Sequence, residues 1–154
     1  MVNSNIEYIY ENFLNFTIPE MKSAIRTGLN RVANIILNNA RENLRKDYKN
    51  VDQSVNFSEP LTKGIRKNKI KQDANGELYI KVRAHSNNKQ GSGSYILPML
   101  ENGTAERYTK DGYYRGKIQG TQFFQRAVNT FDVDSILIEE IKKKVDSIKH
   151  ANAR

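Results

Sequence analysis

The sequence predicts an α+β fold in which a long N-terminal helix packs on a small antiparallel sheet. Three observations predict this fold. Apolar residues recur at three- and four-residue steps over residues 21–44, which is the period of an amphipathic helix. Apolar and polar residues alternate over 78–84, directly after an Asn75-Gly76 pair, and this is typical of a β-hairpin. A second apolar stripe over 136–148 predicts a C-terminal helix.

Length and composition favour one domain without a membrane segment. We expect all 154 residues to form a single domain, since a chain of this size can bury a substantial core. The chain has no cysteine, which excludes disulfides and thiolate metal sites. It shows neither a signal-peptide pattern nor an apolar run of about eighteen residues. We therefore expect a cytoplasmic protein without a membrane partner.

Two helices are predicted before the sheet. A short extra N-terminal helix is predicted within residues 1–16. Thr17 is the predicted N-cap of the long helix, with Pro19 in its first turn, and the apolar period extends this helix to about Lys46. A helix of that length spans about 40 Å at 1.5 Å per residue. We expect it to support the sheet or a neighbouring subunit.

Most of the positive charge lies in the predicted hairpin. Residues 60–89 hold eight basic and two acidic residues, so they carry +6 of the chain's net +8. Leu61 and Ile65 share a strand face that Ile70 does not, which predicts a bulge or a disordered tip between them. The charge is explained either by a solvated face or by a surface for a polyanion such as DNA. The residues predicted to face DNA are Lys63, Arg66, Lys67, Lys69, Lys71, Lys81 and Arg83.

The second half of the chain alternates between apolar segments and polar loops. Residues 86–94 are rich in Gly, Ser and Asn and predict a flexible loop. Residues 95–100 predict a strand or a short helix, because Pro98 excludes a central strand. Residues 123–131 predict a helix or helical turn, and Asp132 or Asp134 is the predicted cap of the last helix.

The long polar loop over residues 105–120 is predicted to be flexible and to order against a partner. Basic and aromatic side chains alternate in it, a pattern that suits either base stacking or a protein interface. Acidic residues dilute its charge, so a protein partner is favoured. Glu101, just before the loop, is predicted to accept hydrogen bonds from the loop backbone or from Arg115, or to be a solvated turn carboxylate.

No catalytic, cofactor-binding or metal-binding residue is predicted. The two histidines, His85 and His150, lack further ligands at matched spacing. Nucleophile elbows, phosphate loops and dinucleotide fingerprints are absent from the sequence. A metal-dependent nuclease would need clustered carboxylates, and Asp73 and Glu77 flank a turn where we expect them to be solvated. We therefore do not expect an enzyme.

The stretch from Tyr95 to Ala127 resembles the tail-completion proteins of lambdoid tailed phages and prophages, also called head–tail joining proteins or minor tail components. Their pattern is an aromatic residue and a short apolar segment, then Glu-x-Gly-Thr, a variable loop, and a Phe-containing helix start with Ala three residues on. Glu101-Asn102-Gly103-Thr104 matches the first part, and Phe124 with Ala127 matches the second. Gln122 stands where the family usually has Pro.

The resemblance implies a structural role without catalytic residues. Such proteins assemble as rings at the phage neck or the head-proximal end of the tail, so the implied partners are further copies of the chain and other neck or tail proteins. The implied location is the virion, assembled in the bacterial host cytoplasm. The alternative function is sequence-independent nucleic-acid binding by the basic hairpin. The residues predicted to form the interface are Tyr95, Leu100, Glu101, Gly103, Thr104, Arg107, Tyr108, Tyr113, Tyr114, Arg115, Gly116, Phe123, Phe124 and Ala127.

Overall fold

The computed structural model describes residues 18–53, 57–84 and 93–152. These residues form two compact units. The first, which we call the helix-pair unit, comprises residues 18–33, 69–80 and 132–152. The second, which we call the motif unit, comprises residues 34–53, 57–68, 81–84 and 93–131. The helix predicted within residues 1–16, the Thr17 cap and His85 lie outside the described residues.

The predicted α+β fold is confirmed, and its first element is the long helix α1, Ile18–Asp47. The last element is α4, Val133–Asn152. The Asp132 side chain caps α4, because it accepts hydrogen bonds from the backbone N–H of Asp134 at 3.0 Å and from the hydroxyl of Ser135 at 2.7 Å. Of the two predicted caps, Asp132 is therefore correct.

Within the helix-pair unit, α4 lies against the first half of α1. A Cβ on Gly28 would lie 2.7 Å from Cδ2 of Leu137, so glycine permits close approach at this point. Beside it, one guanidinium nitrogen of Arg31 contacts the carboxylates of Glu139 and Glu140 at 2.8 and 2.7 Å. The buried hydrophobic residues of this unit have small or branched side chains; they are Ala24, Val32, Ala33 and Val145.

The same unit contains the end of the basic hairpin. Strands β2, Lys71–Gln72, and β3, Leu78–Tyr79, pair antiparallel around the predicted turn. Gly76 closes the turn with a φ of +85°, which favours glycine. The Asp73 side chain accepts hydrogen bonds from the backbone N–H of Asn75 and Glu77 at 2.9 and 2.8 Å.

In the motif unit, the second half of α1 packs on the strands β1, Ile65–Lys67, and β4, Val82–Ala84. The Arg41 side chain of α1 donates hydrogen bonds to the carbonyl oxygens of Thr62 and Ile65 at 3.2 and 2.9 Å. Three residues separate β1 from β2 along the chain, whereas two separate β3 from β4. One strand of the hairpin therefore carries an extra residue, which confirms the predicted bulge.

The segment over residues 95–100 is helical, so the helix alternative is correct. A 3₁₀ turn, Ser94–Ile96, runs into helix α2, Leu97–Asn102. Pro98 lies in the first turn of α2, where the missing N–H costs no intrahelical hydrogen bond. Ser94 is buried, so this end of the predicted 86–94 loop is part of the folded unit. Residues 86–92 lie outside the described residues.

Residues 105–120, predicted as a flexible loop, contain a β-hairpin. Strands β5, Arg107–Tyr108, and β6, Tyr114–Gly116, pair antiparallel, and helix α3, Phe123–Val128, follows. The prediction of a loop was wrong because it treated polarity as a sign of missing structure. A two-stranded ribbon satisfies its backbone by pairing and needs no apolar face to do so. The mobility of this segment stays a prediction.

The motif unit has one apolar cluster beneath these elements. It joins α1, the chain after α1, β1, α2 and α3, and its fully buried large side chains are Leu44, Ile65, Leu97 and Phe123. Its other buried members are Ala40, Val51, Leu61, Leu100 and Ala127.

Candidate functional site: the tyrosine hairpin and its clasp

The Glu101 side chain holds the start of α3. Its two carboxylate oxygens accept hydrogen bonds from the backbone N–H of Phe124 at 2.8 Å and of Gln125 at 3.1 Å. These amides lie in the first turn and have no partner inside the helix, and the helix dipole favours a negative charge there. A backbone acceptor was one of the predicted roles, but the amides belong to α3 and not to the polar segment or to Arg115.

Gly103 and Gly120 bring the two ends of the polar segment together, backbone against backbone. A Cβ on Gly120 would lie 2.4 Å from the carbonyl carbon of Asn102 and from the nitrogen of Gly103. A Cβ on Gly103 would lie 2.8 Å from the nitrogen of Gly120. Gly103 also has a φ of +78°. Both positions therefore require glycine, one for space and the other for space and conformation.

Thr104 ties the same two ends together with hydrogen bonds. Its N–H donates to the carbonyl oxygen of Ile118 at 2.9 Å, and the N–H of Ile118 donates to the Thr104 hydroxyl at 3.0 Å. The hydroxyl of Tyr48, just after α1, contacts the carbonyl oxygens of Leu100 and Gln119 at 3.2 and 3.0 Å. We call the group that joins the two ends the clasp; its members are Glu101, Gly103, Thr104, Ile118 and Gly120.

Several residues predicted to form an interface are instead used inside the motif unit. Phe123 and Ala127 have no exposed surface, and Leu100 is buried beside them. Phe124 is half-buried against the same cluster. Their apolar side chains fill the core between α1, α2 and α3, so they are not available to a partner. The clasp residues Glu101, Gly103 and Thr104 are likewise occupied by contacts within the chain.

The exposed part of the site is the hairpin that the clasp holds at its base. We call Arg107–Gly116 the tyrosine hairpin. In its turn, the N–H of Thr109 donates to Tyr113 O at 2.8 Å, and the N–H of Gly112 donates to Thr109 O at 3.0 Å. The turn at Asp73 has the same two backbone bonds, from Asp73 N–H to Glu77 O at 2.9 Å and from Gly76 N–H to Asp73 O at 3.1 Å. The Thr109 hydroxyl accepts from the N–H of Tyr113 at 3.0 Å. Gly112 has a φ of +83°, and Gly116, also at +83°, ends β6.

Three tyrosines of this hairpin lie largely in solvent. Tyr113 is 73% exposed, Tyr114 60% and Tyr108 56%. The rings of Tyr108 and Tyr114 lie across the strands from each other, with their centroids 5.5 Å apart and their planes tilted by 59°. The Tyr108 hydroxyl donates to the carboxylate of Glu106 at 2.9 Å, and this bond raises the pKa of the tyrosine. Tyr95, on the 3₁₀ turn before α2, is 58% exposed.

Basic side chains alternate with these rings, as predicted. The guanidinium of Arg107 reaches across to the carbonyl oxygens of Gly116 and Arg115 at 3.5 and 3.4 Å, which are long contacts. The charged groups of Lys110, Arg115 and Lys117 have no hydrogen bond or ion pair within the described residues. The hairpin thus presents exposed tyrosines together with arginine, and these residue types are enriched among protein-interface anchors.

The predicted DNA-facing residues are divided between the two units and between the two faces of β1. Arg66 and Arg83 lie directly opposite each other on β1 and β4, and both are exposed. Lys67 is half-buried, and it alternates with Arg66 and so lies on the other face of β1. Lys63 and Lys81 are exposed members of the motif unit, whereas Lys69 and Lys71 are exposed members of the helix-pair unit.

Two features of the site were missed in the sequence. Like Asn75-Gly76, the pair Asp111-Gly112 is typical of a two-residue hairpin turn. The second hairpin was therefore predictable from the sequence. Gln122 has a φ of +51° directly before α3, and its N–H donates to the carbonyl oxygen of Glu101 at 3.0 Å. Proline allows neither the angle nor the bond. Proline at this position would therefore not fit the backbone conformation of this chain.

Within residues 18–53, 57–84 and 93–152, no three His, Asp or Glu side chains come together in a way that could hold a metal ion. No helix in the described part of the chain is both long and apolar enough to cross a membrane. Comparison of the chain with protein-family models, with curated proteins and with solved structures gave no match.

Proposed function

We propose that this chain is a structural virion protein of a tailed phage or prophage, and not an enzyme. It acts at the head–tail junction or the head-proximal end of the tail, where copies assemble into a ring. The observation that carries the proposal is the tyrosine hairpin: an exposed aromatic surface fixed at its base by the clasp. The occupant of that surface is a second copy of the chain.

The clasp supports the link to tail-completion proteins. The resemblance rests on two separate motifs, and these motifs touch: the Glu101 carboxylate of the first caps the helix that carries Phe124 and Ala127 of the second. Gly103 and Thr104 of the first motif close the base of the variable segment between them. A pattern of this kind permits the hairpin to vary while its attachment stays the same, as an assembly surface with changing partners requires.

The composition of the hairpin supports docking on protein. Tyrosine combines a large apolar ring with a hydroxyl, and it loses little side-chain entropy on binding. Tyr and Arg are enriched among the residues that dominate binding energy at interfaces. In a ring, one surface of a subunit docks on a different surface of its neighbour. A projecting hairpin that meets the body of the next subunit has this heterologous geometry.

Sedimentation velocity of the purified full chain over a wide range of concentration tests self-assembly. We expect a monomer that converts to one closed oligomer as concentration rises. The double variant Tyr113→Ser/Tyr114→Ser should remain monomeric, while Asp146→Ser, at an exposed position on α4, should assemble as the wild type does. Circular dichroism and thermal unfolding confirm that each variant is folded.

Two outcomes contradict the self-assembly proposal. A wild-type chain that stays monomeric at every concentration excludes a ring of this chain alone. A ring that survives the double variant excludes the tyrosine hairpin as its contact. The virion role is tested separately by immunogold labelling of purified particles: we expect label at the junction of head and tail, and label confined to the capsid surface or absent from particles opposes this location.

A further inference from the structure

The outward face of the β1–β4 sheet is a compact polar surface. Arg66 lies directly opposite Arg83, and one step along the sheet the N–H of Asn68 donates to the carbonyl oxygen of Lys81 at 2.9 Å. Side chains alternate between the faces of a strand, so these four side chains share one face, and all four are exposed. Ile65, on the opposite face, is fully buried. We call Arg66, Asn68, Lys81 and Arg83 the arginine face.

The fold gains little from this arrangement. Like charges directly opposite each other on antiparallel strands destabilise the pair. The Arg66 guanidinium contacts the Glu59 carboxylate at 3.5 Å and the carbonyl oxygen of Lys63 at 2.8 Å. Within the described residues, the guanidinium of Arg83 has no hydrogen bond or ion pair. The charge of Arg83 is therefore not neutralised within the described residues, and an external anion would stabilise the face.

The residue types of the arginine face favour one class of polyanion over the others. Arginine matches the phosphate group with paired N–H donors. The face has no aromatic ring, whereas single-stranded nucleic acid is held by stacking on such rings. It also has no apolar side chain to insert between lipid headgroups, a contact that strengthens surface binding to membranes. Regularly spaced phosphates of a duplex need only cations and polar groups at the surface.

We propose that the arginine face binds the phosphate backbone of duplex DNA independently of base sequence. Arg66, Lys81 and Arg83 supply the charge, and the Asn68 amide donates a further hydrogen bond to a phosphate oxygen. This inference does not depend on ring assembly, because the whole face lies within one sheet of a single chain.

Fluorescence anisotropy of the full chain with a labelled duplex, measured over a series of salt concentrations, tests the proposal. Each phosphate contact contributes about 0.9 to the slope of log affinity against log salt concentration for B-form DNA. We therefore expect Arg66→Gln/Arg83→Gln to weaken binding and to lower this slope by about 2. Two duplexes of different sequence should bind with the same affinity.

The matched control is Lys22→Gln/Arg26→Gln, which removes two exposed cations of α1. This pair should leave the slope unchanged, and both double variants should show the wild-type distribution in sedimentation velocity. Equal loss of DNA affinity in the two double variants would mean that only net charge matters and would overturn the proposal. Tighter binding to single strands than to the duplex, or binding to phosphatidylserine vesicles without binding to DNA, would also overturn it.

Discussion

The carboxylate of Glu101 accepts the backbone N–H of Phe124 at 2.8 Å, although 23 residues separate the two along the chain. This contact connects the last turn of α2 with the first turn of α3, and the tyrosine hairpin lies between the two helices in sequence. The position of the hairpin therefore depends on a hydrogen bond that its own residues do not make. Three predictions follow from the contacts that fix the motif unit.

Replacing Glu101 with alanine should destabilise the chain by about 1–2 kcal/mol, because two amides at the start of α3 lose their acceptor. Glu101→Gln should destabilise the chain by less than Glu101→Ala, because the side-chain oxygen of glutamine can still accept a hydrogen bond although the negative charge is lost. Urea unfolding followed by circular dichroism measures both effects. The control Glu106→Ala removes an exposed carboxylate of the same segment and should change the free energy of unfolding by less than about 0.5 kcal/mol. Equal effects for Glu101→Ala and Glu106→Ala would show that the cap is not a source of stability.

Gly120→Ala should lower the free energy of unfolding by at least about 2 kcal/mol, because a methyl group there overlaps backbone atoms that cannot rotate away. The comparison is Gly112→Ala, where the added Cβ meets no atom within 4 Å and only the left-handed conformation is strained. We expect Gly112→Ala to lower the free energy of unfolding by about 1–2 kcal/mol. Chemical denaturation of both variants measures the difference. A Gly120→Ala chain as stable as the Gly112→Ala chain would disprove the close approach of Gly103 and Gly120.

Asp52 gives the motif unit a pH dependence. Burial opposes its ionisation, but hydrogen bonds from the Thr62 hydroxyl at 2.6 Å and from Arg45 at 2.8 Å outweigh burial and hold its pKa below the ordinary 3.8. A carboxyl whose pKa is lowered by folding stabilises the fold above its unfolded pKa, and this stability is lost as pH falls through the folded pKa. Asp52→Asn should therefore be less stable than wild type by about 1–2 kcal/mol at neutral pH.

The stability gap between wild type and Asp52→Asn should narrow once the pH falls below the ordinary carboxyl value of 3.8. Urea unfolding at neutral, mildly acidic and strongly acidic pH measures the gap. Asp146→Asn, an exposed position on α4, serves as the control and should leave stability nearly unchanged throughout. A gap for Asp52→Asn that stays constant across the acidic range would mean that its charge does not contribute.

Features with local causes were predictable from the sequence. The apolar period predicted a long helix ending at about Lys46, and α1 ends at Asp47. The Asp132 cap and the Asn75-Gly76 turn were also recognised, because each acts through hydrogen bonds or dihedral angles within a few residues of itself. The hairpin over 107–116 had such a local signal in Asp111-Gly112, and it was overlooked because its strands have no apolar face.

The helices, the turns and the α+β class follow from periodicity and turn chemistry, which act between near neighbours in the chain. Which motif residues face inward depends instead on tertiary contacts. Leu100, Phe123 and Ala127 are buried because α2 and α3 meet α1, and Gly120 is required because Gly103 lies against it. Contacts of this kind join residues that are distant along the chain, so spacing does not reveal them. They leave the tyrosines exposed, and this exposure is the basis of the proposed assembly role.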